Sequence, residues 1–199
     1  LLGKHQFAEA LPLAKQLNKR TPDDVMVYGF LTDAHAELGN YKEAEEAAQW
    51  MLDMSRGGIP ALTRAAYLRE LFGDIEGALD LMAQAYGRID PSQTEDRAWT
   101  LVQIGQLLTL QAKHEPAEAA LKEAAALMPD YHYGLAAMAK LRTAEGKHEE
   151  AARELLKVDI LYAYPEWGAA ALFEAGRCFE AMGDAGKARQ QYEQVVERY

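Results

Sequence analysis

The side chains that could do chemistry are scattered along the chain and form no recognised catalytic motif. The five histidines include no H-x-x-x-H pair and no H-E-x-x-H motif, the spacings that put two metal ligands on one helix face. The sequence also has no glycine-rich phosphate loop and no G-x-S-x-G nucleophile turn. It therefore predicts that the protein is not an enzyme and that it binds no metal ion and no cofactor.

The remaining reactive side chains have structural interpretations. The one cysteine, Cys178, has only Arg177 beside it to favour a thiolate, so we expect a buried and unreactive thiol. Adjacent carboxylates such as Glu149 and Glu150 are expected on solvated helix faces. His114 and His148 occupy the same place in two repeats, where we expect them to replace a packing aromatic residue.

Composition and charge restrict the class of protein. The chain has 199 residues, with 21 Lys and Arg against 31 Asp and Glu, and a net charge of −10. This acidity argues against a non-specific nucleic-acid binder, and 49% hydrophobic residues exclude a disordered chain. No apolar run approaches the ~18 residues of a membrane span. We expect a soluble protein, and both the cytoplasm and the periplasm remain open.

The elements that position these side chains repeat along the sequence. A turn residue is followed five residues later by alanine, and successive turns lie 34, 39, 34 and 37 residues apart. The turn residues are Gly39, Gly73, Ala112, Gly146 and Gly183, and the alanines are Ala44, Ala78, Ala117, Ala151 and Ala188. Apolar residues between the turns follow the i, i+3, i+4, i+7 helical spacing. Such a period indicates stacked helical hairpins rather than a bundle of unrelated helices.

The pattern predicts eleven helices and no strand. Their predicted ranges are 4–19, 24–38, 41–55, 59–72, 75–88, 93–111, 114–127, 131–145, 148–161, 167–182 and 185–198. Ser92 and Glu95 are expected to form a capping box at the start of the sixth helix. Pro165 is expected to end a helix. The extra residues of the two longer repeats are expected to extend a loop or the helices beside it.

The sequence resembles the tetratricopeptide repeat over nearly its whole length. Gly105 and Gly176 stand at the small-residue position of the first helix, the five alanines at that of the second helix, and Pro22 and Pro129 at the closing proline. The resemblance implies an all-α, right-handed α-solenoid of about five and a half helix–turn–helix repeats. We expect one solenoid over residues 1–199, belonging to a longer chain. Its repeats would span approximately 1–24, 25–58, 59–97, 98–131, 132–168 and 169–199.

In this family the first helix of each repeat lines a concave groove that binds a protein or peptide. Helical spacing selects candidate groove residues, which are Arg64, Tyr67, Trp99, Gln103, Gln106, Tyr133, Lys140, Phe173 and Arg177. Aromatic rings offer contact area, and Arg, Lys and Gln can bond a peptide backbone or a carboxylate. Alternatively, the rings pack against the next repeat. The family's clamp for chaperone tails is absent, since Gly29, Phe30, Asp33 and Thr63 occupy those positions.

Three functions remain open on these grounds. The first is a non-catalytic scaffold that binds a protein or peptide, with no nucleic-acid partner and no membrane span. The second is a structural segment that self-associates end to end through apolar terminal faces. The third is an accessory repeat region of a larger enzyme or envelope protein. The last repeat is similar to repeats of bacterial envelope proteins, so we expect a bacterial origin.

Overall fold

A computed structural model describes residues 1–162 and 164–199 of the chain. Over these residues the secondary structure consists of eleven α-helices and one short 3₁₀ turn, with no strand. The 3₁₀ turn covers Leu2–Lys4. The helices are α1 (Phe7–Arg20), α2 (Val25–Glu37), α3 (Tyr41–Ser55), α4 (Ile59–Leu71), α5 (Ile75–Arg88), α6 (Thr94–Leu110), α7 (His114–Leu127), α8 (His132–Ala144), α9 (His148–Leu161), α10 (Pro165–Ala181) and α11 (Ala185–Arg198).

Each predicted helix is present, but two expectations about helix ends were wrong. Pro165 begins α10 instead of ending a helix, because the first helical position has no intrahelical partner for a backbone N–H. Ser92 caps nothing, since its hydroxyl donates to Asp90 at 2.6 Å and the residue before α6 is Gln93. The extra residues of the two longer repeats extend the helix that follows each of them, as α6 and α10 each have 17 residues while α4 and α8 have 13.

The turns inside the hairpins share one backbone geometry. At the end of α2, the Gly39 N–H donates to the Ala36 carbonyl at 3.1 Å, and the Asn40 N–H donates to the His35 carbonyl at 2.9 Å. This pair of bonds satisfies the last carbonyls of the helix and requires a positive φ, which is 76° at Gly39. Ala112 adopts the same conformation with a φ of 56°, at an energetic cost of about 1 kcal/mol relative to glycine.

Small residues bring the two helices of a hairpin together. Ala44, Ala78, Ala117, Ala151 and Ala188 are all buried, as their repeated position predicted. At Gly105 a Cβ atom would lie 2.6 Å from Cγ of Leu121, so α6 and α7 could not approach as they do with a larger residue. The same constraint holds at Gly176, which Tyr192 of α11 covers.

The chain divides into two compact units, an N-terminal unit of Leu1–Ile89 and a C-terminal unit of Asp90–Tyr199. The N-terminal unit holds α1 and the hairpins α2/α3 and α4/α5; within it Tyr28 stacks on Trp50 with ring centroids 3.6 Å apart. The C-terminal unit holds the hairpins α6/α7, α8/α9 and α10/α11. Its core includes Leu155 and Val158 of α9 packed against Ala171 of α10. The expectation of one continuous solenoid of about five and a half repeats over residues 1–199 stays a prediction.

Candidate functional site

A cavity of about 450 Å³ lies among α8, α9 and α10 of the C-terminal unit. Four alanines of α8 and α10, each the first helix of its repeat, contribute methyl groups to its walls. Buried aliphatic side chains of α9 also belong to the lining. The lining consists of Ala136, Ala139, Lys140, Thr143, Leu155, Val158, Trp167, Ala170, Ala171, Glu174 and Arg177. Alanine at the positions where α8 and α10 face each other leaves this space unfilled.

Trp167, near the start of α10, belongs to the cavity lining and to an aromatic cluster. Its ring centroid lies 4.9 Å from that of Tyr133 and 5.0 Å from that of His132, both on α8. His132 in turn lies 4.9 Å from the ring of Tyr162. Burial in this cluster lowers the pKa of His132, so the imidazole favours its neutral form. These ring contacts hold Trp167 in place at the cavity.

The polar side chains of the lining carry three charges. Lys140 donates from Nζ to Oε1 of Gln106 on α6 at 3.2 Å. Arg177 donates from Nη1 to both carboxylate oxygens of Glu174, at 3.0 and 3.1 Å. Within the described part of the chain, no carboxylate lies within salt-bridge distance of Lys140. The rim of the cavity thus carries one cation that no anion neutralises.

Thr143 and Cys178 offer no reactive group to the cavity. The Thr143 hydroxyl donates to the Ala139 carbonyl at 2.9 Å, and its oxygen lies 3.9 Å from Sγ of Cys178. Cys178 is 3% exposed, and burial raises the pKa of its thiol. The thiol is therefore buried, as the sequence predicted, and is held in its protonated form.

In the N-terminal unit, the candidate residues bond to their own neighbours. Arg64 of α4 donates from Nε and Nη2 to the two carboxylate oxygens of Asp33 on α2, at 2.7 and 2.8 Å. The guanidinium lies over Gly29, where a Cβ atom would be 3.1 Å from Cζ. Tyr67 donates its hydroxyl to Glu37 at 3.0 Å, and burial together with this bond raises its pKa to about 12.

The other candidate residues are spread along the first helices of the C-terminal unit. Trp99 and Gln103 are half-buried on α6, and Gln106 of the same helix accepts from Lys140. Tyr133 packs on Trp167 of α10. This contact is of the kind given by the alternative interpretation, in which the rings pack against the next repeat. Phe173 is exposed, with its ring 5.7 Å from Tyr192 of α11. Of the candidates, the structure brings Lys140 and Arg177 to one cavity; whether they bind a partner stays a prediction.

Sequence reasoning missed the residues that give the cavity its shape. Trp167 and Glu174 were not among the candidates, and neither were the alanines of the walls. A signal was present, because Ala136, Ala170 and Ala171 put small residues at facing positions of consecutive first helices.

Clusters of metal-ligating side chains and membrane-spanning helices are both absent from the described residues. In residues 1–162 and 164–199, no group of three or more His, Cys, Asp or Glu side chains is arranged to hold a metal ion. Over the same residues, no helix combines the length and apolar character that crossing a bilayer requires.

Two comparisons with known proteins identify the fold. Residues 1–52 match the family model of the tetratricopeptide repeat. A chain of the APC/C hetero-tetramer Cut9–Hcn1 superposes with a TM-score of 0.83 at 14% identity, over 99% of this chain and 38% of that one. PilW, a widely conserved type IV pilus biogenesis factor, superposes with a TM-score of 0.80 at 16% identity, over 98% of this chain and 87% of its own. The chain has the tetratricopeptide repeat fold.

The predicted fold class, an all-α solenoid of tetratricopeptide repeats, is thereby confirmed. A tetratricopeptide repeat protein from Parabacteroides merdae gives a TM-score of 0.71 at 18% identity, over 98% of this chain and 74% of its own. This chain spans little more than a third of the chain from the Cut9–Hcn1 assembly. No curated protein matches its sequence significantly. The tetratricopeptide repeat fold is typical of protein-interaction scaffolds, and the bacterial origin stays a prediction.

Proposed function

We propose that the C-terminal unit is a non-catalytic module that binds an extended peptide segment of a partner protein along α6, α8 and α10. The observation that carries this proposal is the open cavity of about 450 Å³ lined by α8 and α10. Apolar clefts with a few convergent polar groups are the usual form of a binding site. Lys140 and Gln106 extend the polar lining towards α6.

The chemistry of the lining favours binding over catalysis. A catalytic site needs a nucleophile, a base or a metal beside the reacting atom. The charged groups here are Lys140, Glu174 and Arg177, and the last two already bond to each other. The cavity can hold a side chain and bond it at the rim.

A peptide display library tests the proposed function. A random peptide library is selected on the whole chain and on the variants Ala170→Phe and Ala126→Phe. Ala170 is exposed and lines the cavity, so phenylalanine there blocks the space. Ala126 is an exposed alanine of α7 in the same unit and serves as the matched control.

We expect peptides that bind the unmodified chain and Ala126→Phe but bind Ala170→Phe at least about tenfold more weakly. Circular dichroism should show equal helix content in all three proteins. Peptides that bind all three proteins equally well would contradict the use of this cavity. Failure to select any peptide would contradict the proposed function itself.

Self-association through the outer face of α11 is a second candidate function. Val196 is 83% exposed and lines an open cavity of about 630 Å³ with Ala185, Ala188 and Tyr192. Burying this face against a second copy would remove apolar area from water. Sedimentation velocity over a wide concentration range should then show association that Val196→Glu abolishes. A monomer at every concentration would contradict it.

A further inference from the structure

We propose that the cavity between α8 and α10 takes one apolar side chain of an acidic peptide, and that Lys140 bonds a carboxylate close to that side chain in the peptide sequence. This proposal rests on the proposed function, because it specifies the chemistry of the segment that the C-terminal unit binds. It commits the surface to one kind of occupant, an apolar residue flanked by aspartate or glutamate.

The interior of the cavity selects an apolar side chain. Leu155 and Val158 are buried, and the methyl groups of Ala136 and Ala170 line α8 and α10. The hydroxyl of Thr143 already donates to the Ala139 carbonyl. Among these groups a polar side chain would find only the Thr143 oxygen as an acceptor, so it would leave water with most of its hydrogen bonds unreplaced, whereas an apolar one loses nothing.

Trp167 adds a broad apolar surface to this lining. Its ring is fixed by edge contacts with Tyr133 and His132, so it needs little further ordering when a ligand arrives. A pre-ordered aromatic surface beside small alanines fits a bulky aliphatic or aromatic side chain better than a small one.

The charged residues at the rim of the cavity determine which charge is preferred on the peptide next to its apolar side chain. Lys140 is exposed, and its ammonium group bonds the neutral amide oxygen of Gln106 rather than a carboxylate. Glu174, the acidic residue of the lining, already accepts two bonds from Arg177. A carboxylate of the peptide would give Lys140 a charge-assisted hydrogen bond. An ammonium group of the peptide would be repelled by Lys140, and Glu174 is already paired with Arg177.

The overall charge makes this preference informative. The chain has a net charge of −10, which would favour basic ligands through long-range attraction. Selection of peptides with an acidic residue beside the apolar one would therefore indicate a local interaction with Lys140. Selection of basic peptides would report the field of the whole chain instead.

The experiment reads the sequences of the selected peptides and then exchanges the charges. Random peptides are selected on the whole chain and on Lys140→Glu, with Lys113→Glu as the control for an equal charge change at an exposed lysine. The best peptide from the unmodified chain is then synthesised with a fluorescent label. Two further versions carry serine in place of its apolar residue or lysine in place of its acidic residue, and affinities are measured by fluorescence anisotropy.

We expect peptides with a large apolar residue within two positions of aspartate or glutamate. The serine version should bind about tenfold more weakly to every protein. The lysine version should bind about tenfold more weakly to the unmodified chain and to Lys113→Glu, and should recover most of that loss on Lys140→Glu. This recovery distinguishes a direct charge contact from a general effect on the fold.

Other outcomes overturn the proposal and separate its failure from that of the proposed function. Peptides that are sensitive to Ala170→Phe but lack the apolar and acidic pair would overturn the ligand chemistry and leave the binding function standing. The same holds for a lysine version that is not rescued by Lys140→Glu. If no peptide is selected on the unmodified chain, both proposals fail.

Discussion

The two units fill the space between consecutive first helices in different ways. Between α2 and α4 of the N-terminal unit, Arg64 lies over Gly29 and bonds both carboxylate oxygens of Asp33. Between α8 and α10 of the C-terminal unit, a cavity of about 450 Å³ remains. The space between consecutive first helices is thus filled by an ion pair in the N-terminal unit, which we call closed, and holds a cavity in the C-terminal unit, which we call open.

The sequence positions of the two arrangements correspond. Asp33 and Lys140 each lie six residues before a turn glycine, and Arg64 and Glu174 each lie nine residues before one. The charges are exchanged, yet Lys140 bonds Gln106 and Glu174 bonds Arg177, so the ion pair across the helices is not repeated. The space between two consecutive first helices is therefore filled or left as a cavity according to the bonding partners of the long side chains beside it.

The largest expected difference comes from one substitution made at equivalent positions, Gly29→Leu and Ala136→Leu. Both residues lie ten residues before a turn glycine. At Gly29 leucine would displace Arg64 from Asp33, because even a Cβ atom would lie 3.1 Å from Cζ. At Ala136 leucine would enter the cavity. We expect Gly29→Leu to lower the free energy of unfolding by about 2 kcal/mol and Ala136→Leu to change it by less than about 1 kcal/mol.

Urea unfolding measures both free energies, and Gly87→Leu is the control. Gly87 is exposed on α5, with no atom within 4 Å of a Cβ position, so leucine there should be neutral or stabilising. Equal losses in Gly29→Leu and Ala136→Leu would show that the cavity is not open space and would remove the contrast between the units.

Grafting the ion pair into the C-terminal unit should have a smaller effect on stability. The double variant Lys140→Asp with Glu174→Arg reproduces the residue types of Asp33 and Arg64. We expect the new pair to span the cavity, adding at most about 1 kcal/mol to the free energy of unfolding. Peptides selected on the unmodified chain should bind the variant about tenfold more weakly, because the new side chains occupy their site. Unchanged peptide binding would contradict this closure.

The sequence predicted the repeated local structure because that structure depends on near neighbours. Gly39, Gly183 and Ala112 end their helices through bonds that span only a few residues, and buried Ala44 and Ala188 keep a fixed distance from those turns. Each of these features follows from residue type and spacing alone.

The candidate site could be predicted only in part, because it depends on contacts between repeats. Arg64 was expected to be a groove cation, but Asp33, 31 residues earlier in the chain, accepts two hydrogen bonds from its guanidinium. Lys140 and Arg177 both line the cavity, and their role in binding stays a prediction, whereas Trp167 was not among the candidates. Its place at the cavity depends on ring contacts with α8, 34 residues away at Tyr133.

Acid should weaken both units through one imidazole in each, buried at His35 and half-buried at His132. Burial lowers the pKa of His35 below its usual 6.5, with Lys15 acting in the same direction and Glu43 opposing. Burial also lowers the pKa of His132, against a raising effect of Glu95. The unfolded chain then binds more protons than the folded one below pH 6.5. The free energy of unfolding should therefore fall as the pH drops below this value and level off below the folded-state pKa.

Thermal unfolding between about pH 7.5 and about pH 5.5 measures this effect, since histidine is the side chain whose ordinary pKa of about 6.5 lies in that range. The Glu118 carboxylate, whose pKa Arg142 and Lys122 lower to about 2, stays ionised throughout. His35→Gln and His132→Gln should each flatten part of the pH dependence, and the exposed His5→Gln serves as the control. A slope that neither variant changes would assign the effect to other groups.

The smallest expected change in stability comes from Arg177→Gln, and it separates binding from folding at the open site. Arg177 pairs with Glu174 on its own helix, and both side chains are about half exposed or more. Such a pair contributes less than about 0.5 kcal/mol to stability, so the urea midpoint should hardly move. Without Arg177, Glu174 keeps an unneutralised negative charge beside the position proposed for the peptide carboxylate. Peptide affinity should therefore fall several-fold, and it should recover when Glu174→Gln is added.

In the N-terminal unit, Arg64→Gln should instead lower the free energy of unfolding by about 1–2 kcal/mol, because it removes two charge-assisted bonds to Asp33. Equal effects of the two substitutions on stability would mean that the difference between a closed and an open repeat does not lie in these arginines.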